Sequence, residues 1–279
     1  FLGVFKAMLN HPAIDPIAIS LGPLQIHWYG ISYLLAFATA WYLARRNARR
    51  PWSPLGENQV EDLIVYGAWG VIAGGRLGYM FFYNTDKWLA DPAMLLRIWE
   101  GGMSFHGGLI GVAIAIFIYA RKHRVSFLTL TDFAVPLVPT GLFFGRMGNF
   151  IGQELYGRPT DVPWGMLFPS DPTQLPRHPS QLYEALLEGL VLFLIISWFA
   201  RKPRLAGEIT GLFLVLYGCF RFMVEFVREP DAQFAGQTAM IESLNWMTRG
   251  QALCIPMVLL GLWFMRKTMQ RLMAKSATN

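Results

Sequence analysis

Charge is scarce in this chain. Only 15% of its 279 residues are Asp, Glu, Lys or Arg, where a soluble domain carries about 25%. The deficit runs along the whole length, with 54% hydrophobic residues and a mean hydropathy of +0.35. That excludes an ordinary soluble domain and predicts an all-α, polytopic membrane protein, because only helices or closed barrels satisfy their backbone in lipid. Cysteine is nearly missing. Cys219 and Cys254 both lie in apolar helical runs and read as small packed hydrophobes, not as a disulfide. The five histidines, at positions 11, 27, 106, 123 and 178, show no ligand spacing, so no metal site is expected. There is no Gly-x-Ser-x-Gly elbow, P-loop or dinucleotide fingerprint, and no cofactor is expected. Residues 1–20 lack a basic segment followed by an unbroken apolar core, so they do not predict a removable signal peptide. No repeat of fixed period and no Gly/Pro-broken pair of matching halves appears, which weighs against a transporter.

What the chain has instead is apolar runs. Seven spans are expected: within Ile17–Ala44, then about Leu63–Tyr83, Met103–Ala120, Phe133–Ile151, Leu182–Ala200, Glu208–Phe226 and Gly250–Met265. Together they make residues 1–279 one integral membrane domain. The basic residues are distributed unevenly between the connections. Arg45, Arg46, Arg49 and Arg50 follow the first span, and Arg121, Lys122 and Arg124 the third. Arg201, Lys202 and Arg204 follow the fifth, and Arg266, Lys267, Arg271 and Lys275 the seventh. The opposite connections carry only Lys6, Lys87, Arg97, Arg158, Arg177, Arg228 and Arg249 over longer stretches. Positive charge marks the cytoplasmic side, so the N-terminus is expected outside and the C-terminus in the cytoplasm. This placement accounts for the net charge of +6, and no nucleic-acid partner is expected. The long non-cytoplasmic segments are then about 82–102, 152–181 and 228–249.

Three arginines, Arg76, Arg146 and Arg221, fall in or at the edge of spans. A charge at bilayer depth costs at least about 2.5–3.5 kcal/mol on insertion scales, so such residues call for a use. Arg146 and Asn149 stand three apart on one face of the fourth span, with Gly145, Gly148 and Gly152 around them and Glu154 after them. A guanidinium fork suits a phosphate in a way that Lys does not, and Asn can donate to a second oxygen. The bland alternative is a structural Arg that pairs with Glu154 or snorkels. Tyr217, Arg221, Glu225 and Arg228 form one stripe on the sixth span; either Arg221–Glu225 is a structural pair, or Arg146 and Arg221 clamp one anionic head group with Glu225 holding Arg221 in place. His106 lies between Gly101-Gly102 and Gly107-Gly108, which suggests a tight start to the third span and close approach of a partner. It is a candidate general base, since imidazole titrates near neutrality, and a hydrogen-bonded core histidine is the competing reading. Tyr29, in His27-Trp28-Tyr29-Gly30, fits an interfacial aromatic belt. Arg76 could meet an anion or pack a helix equally well, and no chemical argument attaches to His178, in the helix-starting run Arg177-His178-Pro179-Ser180.

In order along the chain, several runs resemble the bacterial phosphatidylglycerol:prolipoprotein diacylglyceryl transferases. They are His27-Trp28-Tyr29-Gly30, Gly101 to Gly108, Gly145-Arg146-Met147-Gly148-Asn149-Phe150 with Glu154 and Gly157, Arg177 to Glu184, and Tyr217 to Glu225. One departure is Gly152-Gln153, where the family often has Asn-Gly. The resemblance implies transfer of the diacylglyceryl group of phosphatidylglycerol to the lipobox cysteine thiol of a prolipoprotein signal peptide. A thioether forms and glycerol 1-phosphate leaves, at the periplasmic face of the bacterial inner membrane. It implies His106, Arg146 and Arg221 as catalytic residues. Tyr29, Asn149, Glu154, Gly157, Tyr217 and Glu225 are implied to bind substrate. A transporter or flippase for an anionic lipid is the alternative, since it would use the same arginines to hold the anion.

Overall fold

The computed structural model describes residues 9–22, 24–229 and 247–276. Lys6 and most of the 228–249 connection lie outside them. The described chain is mostly helical, and each expected span coincides with helix. The first does so only in part: residues Ile17–Leu21 (β2) and Leu24–His27 (β3) pair as an antiparallel hairpin, and helix α1 starts at Trp28 and runs to Ala48. A second small sheet, parallel, joins β1 (Leu9–Asn10) to β4 (Met166–Leu167). Among the described residues, three helical stretches are long and apolar enough to cross a membrane: Phe105–Lys122, Phe127–Ile151 and Ser180–Phe199. Large apolar side chains stay exposed along the helices, Leu34 at 69%, Trp198 at 65% and Leu259 at 61%. Water would penalise such a surface, and lipid would not.

The chain divides into two compact units, residues 41–134 and residues 1–40 with 135–279. In the first, α2 (Glu57–Tyr83), followed by the short α3 (Thr85–Ala90), lies antiparallel against α4 (Phe105–Lys122). Gly70, Gly74 and Gly78 of α2 meet Gly107 and Gly111 of α4 backbone to backbone; a Cβ on Gly70 would stand 2.7 Å from the Gly111 carbonyl oxygen, and one on Gly78 2.6 Å from Gly107 Cα. Glycines four apart on each helix permit this approach, which supplies van der Waals contact where lipid gives no hydrophobic drive. The close approach expected around His106 is therefore real, and its partner is α2. Gly111→Ala puts a methyl onto the Gly70 carbonyl oxygen and within 2.8 Å of Gly74 Cα. Overpacking of this kind costs roughly 1–3 kcal/mol, so the variant should melt several degrees lower in a detergent thermal scan. A melt unchanged from wild type would mean the helices can separate freely at this point.

Arg76 on α2 is 2% exposed. Its guanidinium donates to the carbonyls of Met94, Leu95 (3.2 Å), Arg97 (2.8 Å), Gly101 and Gly102 (3.1 Å). It gathers the segment that leads into α4, so of the two readings of Arg76 the structure favours the structural one. Gly101 and Gly102 adopt φ of +79° and +83°, a backbone that excludes most side chains. Ser104 then caps α4: its N–H donates to Gly75 O (2.9 Å) and its Oγ accepts from Gly107 N–H (3.2 Å).

In the larger unit, α5 (Phe127–Ala134) of its neighbour continues through a 3₁₀ turn at Val135–Leu137 into α6 (Val138–Ile151). The turn falls at Pro136, where the missing N–H breaks the helical ladder. After α6, residues 152–179 form a loop that returns to α7 (Ser180–Glu184). A π-helical turn over Ala185–Val191 joins α7 to α8 (Leu192–Phe199). Gly189 in that turn sits against Phe143 of α6, with room for no Cβ. Helix α9 (Glu208–Val224) lies against α8 around Leu192, Ile196, Ala200 and Ile209, and α10 (Arg249–Ser276) packs on α9 where Gly211 meets Gly261.

Candidate active site

The site grows from the loop between α6 and α7. Ser180 Oγ donates to Leu155 O (3.0 Å) and Gln181 Nε2 to Glu154 O (2.7 Å). These bonds pin the start of α7 to the turn that ends α6. One turn further on, Glu184 faces α6 and α9 with no solvent exposure. Its Oε2 receives Arg146 Nη2 at 2.6 Å and Arg221 Nη1 at 2.9 Å. Two arginines from different helices thus meet across a single oxygen. Arg221 also reaches Glu225 at 2.9 Å, the contact expected to hold its rotamer. Glu225 Oε1 accepts from Thr248 Oγ1 at 3.0 Å, which ties the pair to the start of α10. Arg228 approaches the other oxygen of Glu184 at 3.8 Å.

Asn149 Oδ1 accepts from Arg146 Nη1 at 3.2 Å, and its Nδ2 donates to Glu154 Oε2 at 3.4 Å. Arg146 therefore pairs with Glu184 rather than with Glu154, and Asn149 stands between Arg146 and Glu154. Tyr29 lies over Gly148, where a Cβ would come 3.0 Å from its ring, and its hydroxyl meets that of Tyr33 at 3.1 Å. It stands within electrostatic range of Glu154 and Arg146. Tyr217 stacks on Phe213 with rings 5.7 Å apart and senses Glu188 and Arg221. Gly157 works through its backbone: its N–H donates to His178 O at 2.8 Å, and a Cβ there would overlap the Val227 carbonyl. His106 belongs to the 41–134 unit, exposed at the second position of α4. Its imidazole makes no hydrogen bond among the described residues, which argues against a hydrogen-bonded core histidine.

Sequence reasoning gave Glu184 and Glu188 no role. The signal was available: two carboxylates four apart near the start of an otherwise apolar run need cations, and Arg146 and Arg221 are those cations.

A family model for prolipoprotein diacylglyceryl transferases matches residues 16–267. The chain belongs to the prolipoprotein diacylglyceryl transferase family. It is similar to proteins named phosphatidylglycerol–prolipoprotein diacylglyceryl transferase. The relative from Methylococcus capsulatus is 56% identical over 258 residues, 91% of this chain and 95% of its own. That from Nitratidesulfovibrio vulgaris is 52% identical, over 92% and 95% of the two chains. That from Acinetobacter baylyi is 52% identical over 267 residues, 95% and 96% of the two.

Gly152-Gln153, where the resemblance leads one to expect Asn-Gly, has its own geometry. Gln153 takes a φ of +55°, a left-handed backbone that glycine adopts freely and other residues at a cost of about 1–2 kcal/mol. Two hydrogen bonds hold it there: the side-chain Oε1 accepts from Ser170 N–H and the main-chain carbonyl from Ser170 Oγ, both at 3.0 Å. Arg146, Asn149 and Glu154 are joined through the Asn149 amide.

The loop carries its own polar anchor. Arg177 is buried and holds Asp171 (2.7 and 3.3 Å), Thr173 (3.0 Å) and Glu229. Burial alone would raise the Asp171 carboxyl, but the Arg177 and Thr173 bonds outweigh it and hold it below its ordinary value. A depressed carboxyl stabilises the fold above its unfolded pKa and loses that contribution as pH falls through the folded one. Melting temperature should thus drop on acidification below about pH 4, the ordinary Asp range. Asp171→Asn should show a lower melt at pH 7 and a shallower acid dependence; an identical acid limb in both proteins would place the titrating group elsewhere. His11 anchors the other side of the loop. Ala13 N–H donates to its Nδ1 (3.1 Å), so Nε2 carries the proton and donates to Phe150 O (2.9 Å). Burial keeps the imidazoles of His11 and of His178 below their ordinary values. His178 meets the Tyr183 hydroxyl at 3.3 Å, which also accepts from Trp164 Nε1 at 2.8 Å.

Proposed function

We propose that this chain transfers the diacylglyceryl group of phosphatidylglycerol to the lipobox cysteine of a prolipoprotein. The observation that carries the reading is the convergence of Arg146 and Arg221 on one buried carboxylate oxygen. A point that satisfies one anionic oxygen from two helices suits a phosphate oxygen equally well, through charge-assisted bonds of about 2.7–2.9 Å. The family and the names of its similar members supply the chemistry that such a site would serve.

In this reading the phosphodiester of phosphatidylglycerol lies on Arg146 and Arg221, with Asn149 donating to a second oxygen. The cysteine sulfur attacks the glyceryl carbon that bears the phosphate. A carbon–sulfur bond forms, the carbon–oxygen bond breaks, and the electron pair stays on the phosphate oxygen of departing glycerol 1-phosphate. The phosphate gains one negative charge in this step, and fixed guanidinium donors stabilise charge that develops in the transition state. The thiol proton goes to His106. The thiolate, not the thiol, is the nucleophile. Tyr29, Glu154 and Glu225 orient the polar groups, Tyr217 walls the site, and Gly157 keeps the loop close. The reading needs no metal, cofactor or nucleic acid.

The same proposal covers the membrane arrangement: one integral membrane domain of seven spans in the bacterial inner membrane. The N-terminus is outside, and the segments 82–102, 152–181 and 228–249 are periplasmic. Its support is the alternation of basic connections and the exposed apolar helix surfaces. The test is mass spectrometry of a lipobox peptide incubated with the protein and phosphatidylglycerol. The expected result is a diacylglyceryl mass gain on the cysteine and release of glycerol 1-phosphate. Lipid movement across liposomes without any thioether product would favour the transporter instead.

A further inference from the structure

Glu188 belongs to the buried cluster, and the proposed reaction gives it no use. It lies in the π-helical turn, one helical step beyond Glu184, with no solvent exposure. Among the described residues, neither of its oxygens has a hydrogen-bond partner, and the nearest cation, Arg221 Nη1, stands 3.8 Å from Oε1. Its carboxylate neighbours are held differently. Glu184 Oε2 takes two guanidinium contacts below 3 Å, and Glu225 accepts from Arg221 and Thr248. The groups that face Glu188 are Arg146 from α6, Glu184 from α7, Tyr217 and Arg221 from α9, Arg228 just after it, and Cys254 from α10.

The charges of this described cluster balance when empty. Arg146, Arg221 and Arg228 carry three positive charges; Glu184, Glu188 and Glu225, when ionised, carry three negative ones. A phosphodiester brings one more negative charge into a region with little water to screen it. Uncompensated buried charge is costly enough that a group usually neutralises instead. The carboxylate least held by hydrogen bonds is the one to do so.

We propose that Glu188 takes up one proton from solvent when an anionic phospholipid loads onto Arg146 and Arg221, so that lipid binding and proton binding are coupled at this residue. The step is Glu188–COO⁻ plus H⁺ giving Glu188–COOH, and no other bond changes. Glu188 is then a positioning residue: it touches neither lipid nor thiol, and it sets the net charge the arginines present to the phosphate. The inference rests on the arginine pair as the phosphate site.

The experiment titrates short-chain phosphatidylglycerol into the detergent-solubilised full chain by calorimetry, from pH 6 to 9, in buffers of different ionisation enthalpy. Wild type should take up close to one proton per lipid where Glu188 is ionised in the empty site. Its Kd should then weaken by up to tenfold per pH unit, the limit for a single linked proton. Diacylglycerol, which lacks the phosphate, should bring no proton uptake. Glu188→Gln, a near-isosteric neutral side chain, should bind with a Kd that does not vary with pH over this range, and tighter than wild type at pH 9. Wild-type binding without proton uptake overturns the inference and leaves the phosphate site standing. An unchanged pH slope in Glu188→Gln also overturns it, and should that variant fail to fold, the proton count on wild type decides alone. Absence of phosphatidylglycerol binding would sink the phosphate site and the inference with it.

Discussion

Arg146→Ala is expected to lower diacylglyceryl transfer by about 10²–10³-fold, the usual loss when one preorganised donor to a developing anion is removed. Two losses combine. In the proposed site the phosphate forfeits a guanidinium donor, and Glu184, buried with no exposure, forfeits its 2.6 Å partner. Breaking a buried pair by removing one side costs about 3–5 kcal/mol, so a fall in stability must be separated from a fall in catalysis. Arg146→Lys serves that purpose. It restores the charge opposite Glu184 without the planar fork that also reaches Asn149. Lys should recover most of the thermal stability and only part of the turnover. Turnover of Arg146→Lys equal to wild type, with unchanged lipid affinity, would show that a point charge suffices and that the fork has no role. The readouts are initial rates on a lipobox peptide and a melting curve for each variant.

His106→Gln should reduce turnover by about 10²–10⁴-fold, the typical worth of a general base, while phosphatidylglycerol binding stays near wild type, since in the proposed site the arginines supply the anion contact. The structural part of the argument is local. Ser104 caps α4 and Arg76 gathers the preceding carbonyls, so His106 projects from a braced helix start. Its ring is exposed and meets that of Phe105 edge-on at 5.7 Å. A histidine of purely structural use would be expected to hydrogen-bond. If it accepts the thiol proton, the variant should regain rate as pH approaches the ordinary thiol pKa of about 8.5, where the cysteine ionises unaided. A loss uniform across pH 6–9, with a lower melting temperature, would instead make His106 a brace for α4.

The helices, their apolar character and the arginines of the candidate site were legible from the amino-acid order alone. Apolar runs bounded by Arg and Lys clusters have few alternatives to a helix in lipid, and the expected spans fall on α1, α2, α4, α6, α7–α8, α9 and α10. Spacing was equally legible: Arg146 and Asn149 at i, i+3, and Arg221 and Glu225 at i, i+4, share helix faces whatever surrounds them, and both pairs are in contact. The hairpin of β2 and β3 was not legible, because a short apolar run before a helix reads as part of it. Other facts needed the tertiary structure. Arg76 sits in a span like Arg146, and no local pattern distinguishes them; backbone carbonyls 18 to 26 residues away make one an anchor, and a carboxylate on another helix makes the other part of a cluster. The partner of Arg146 is Glu184 rather than the nearer Glu154, because the bonds from Ser180 and Gln181 set the start of α7 against the end of α6. Periodicity reports which residues share a face of one helix. Which faces meet depends on how the loop between two helices closes, and that closure rests on long-range hydrogen bonds that no local spacing encodes.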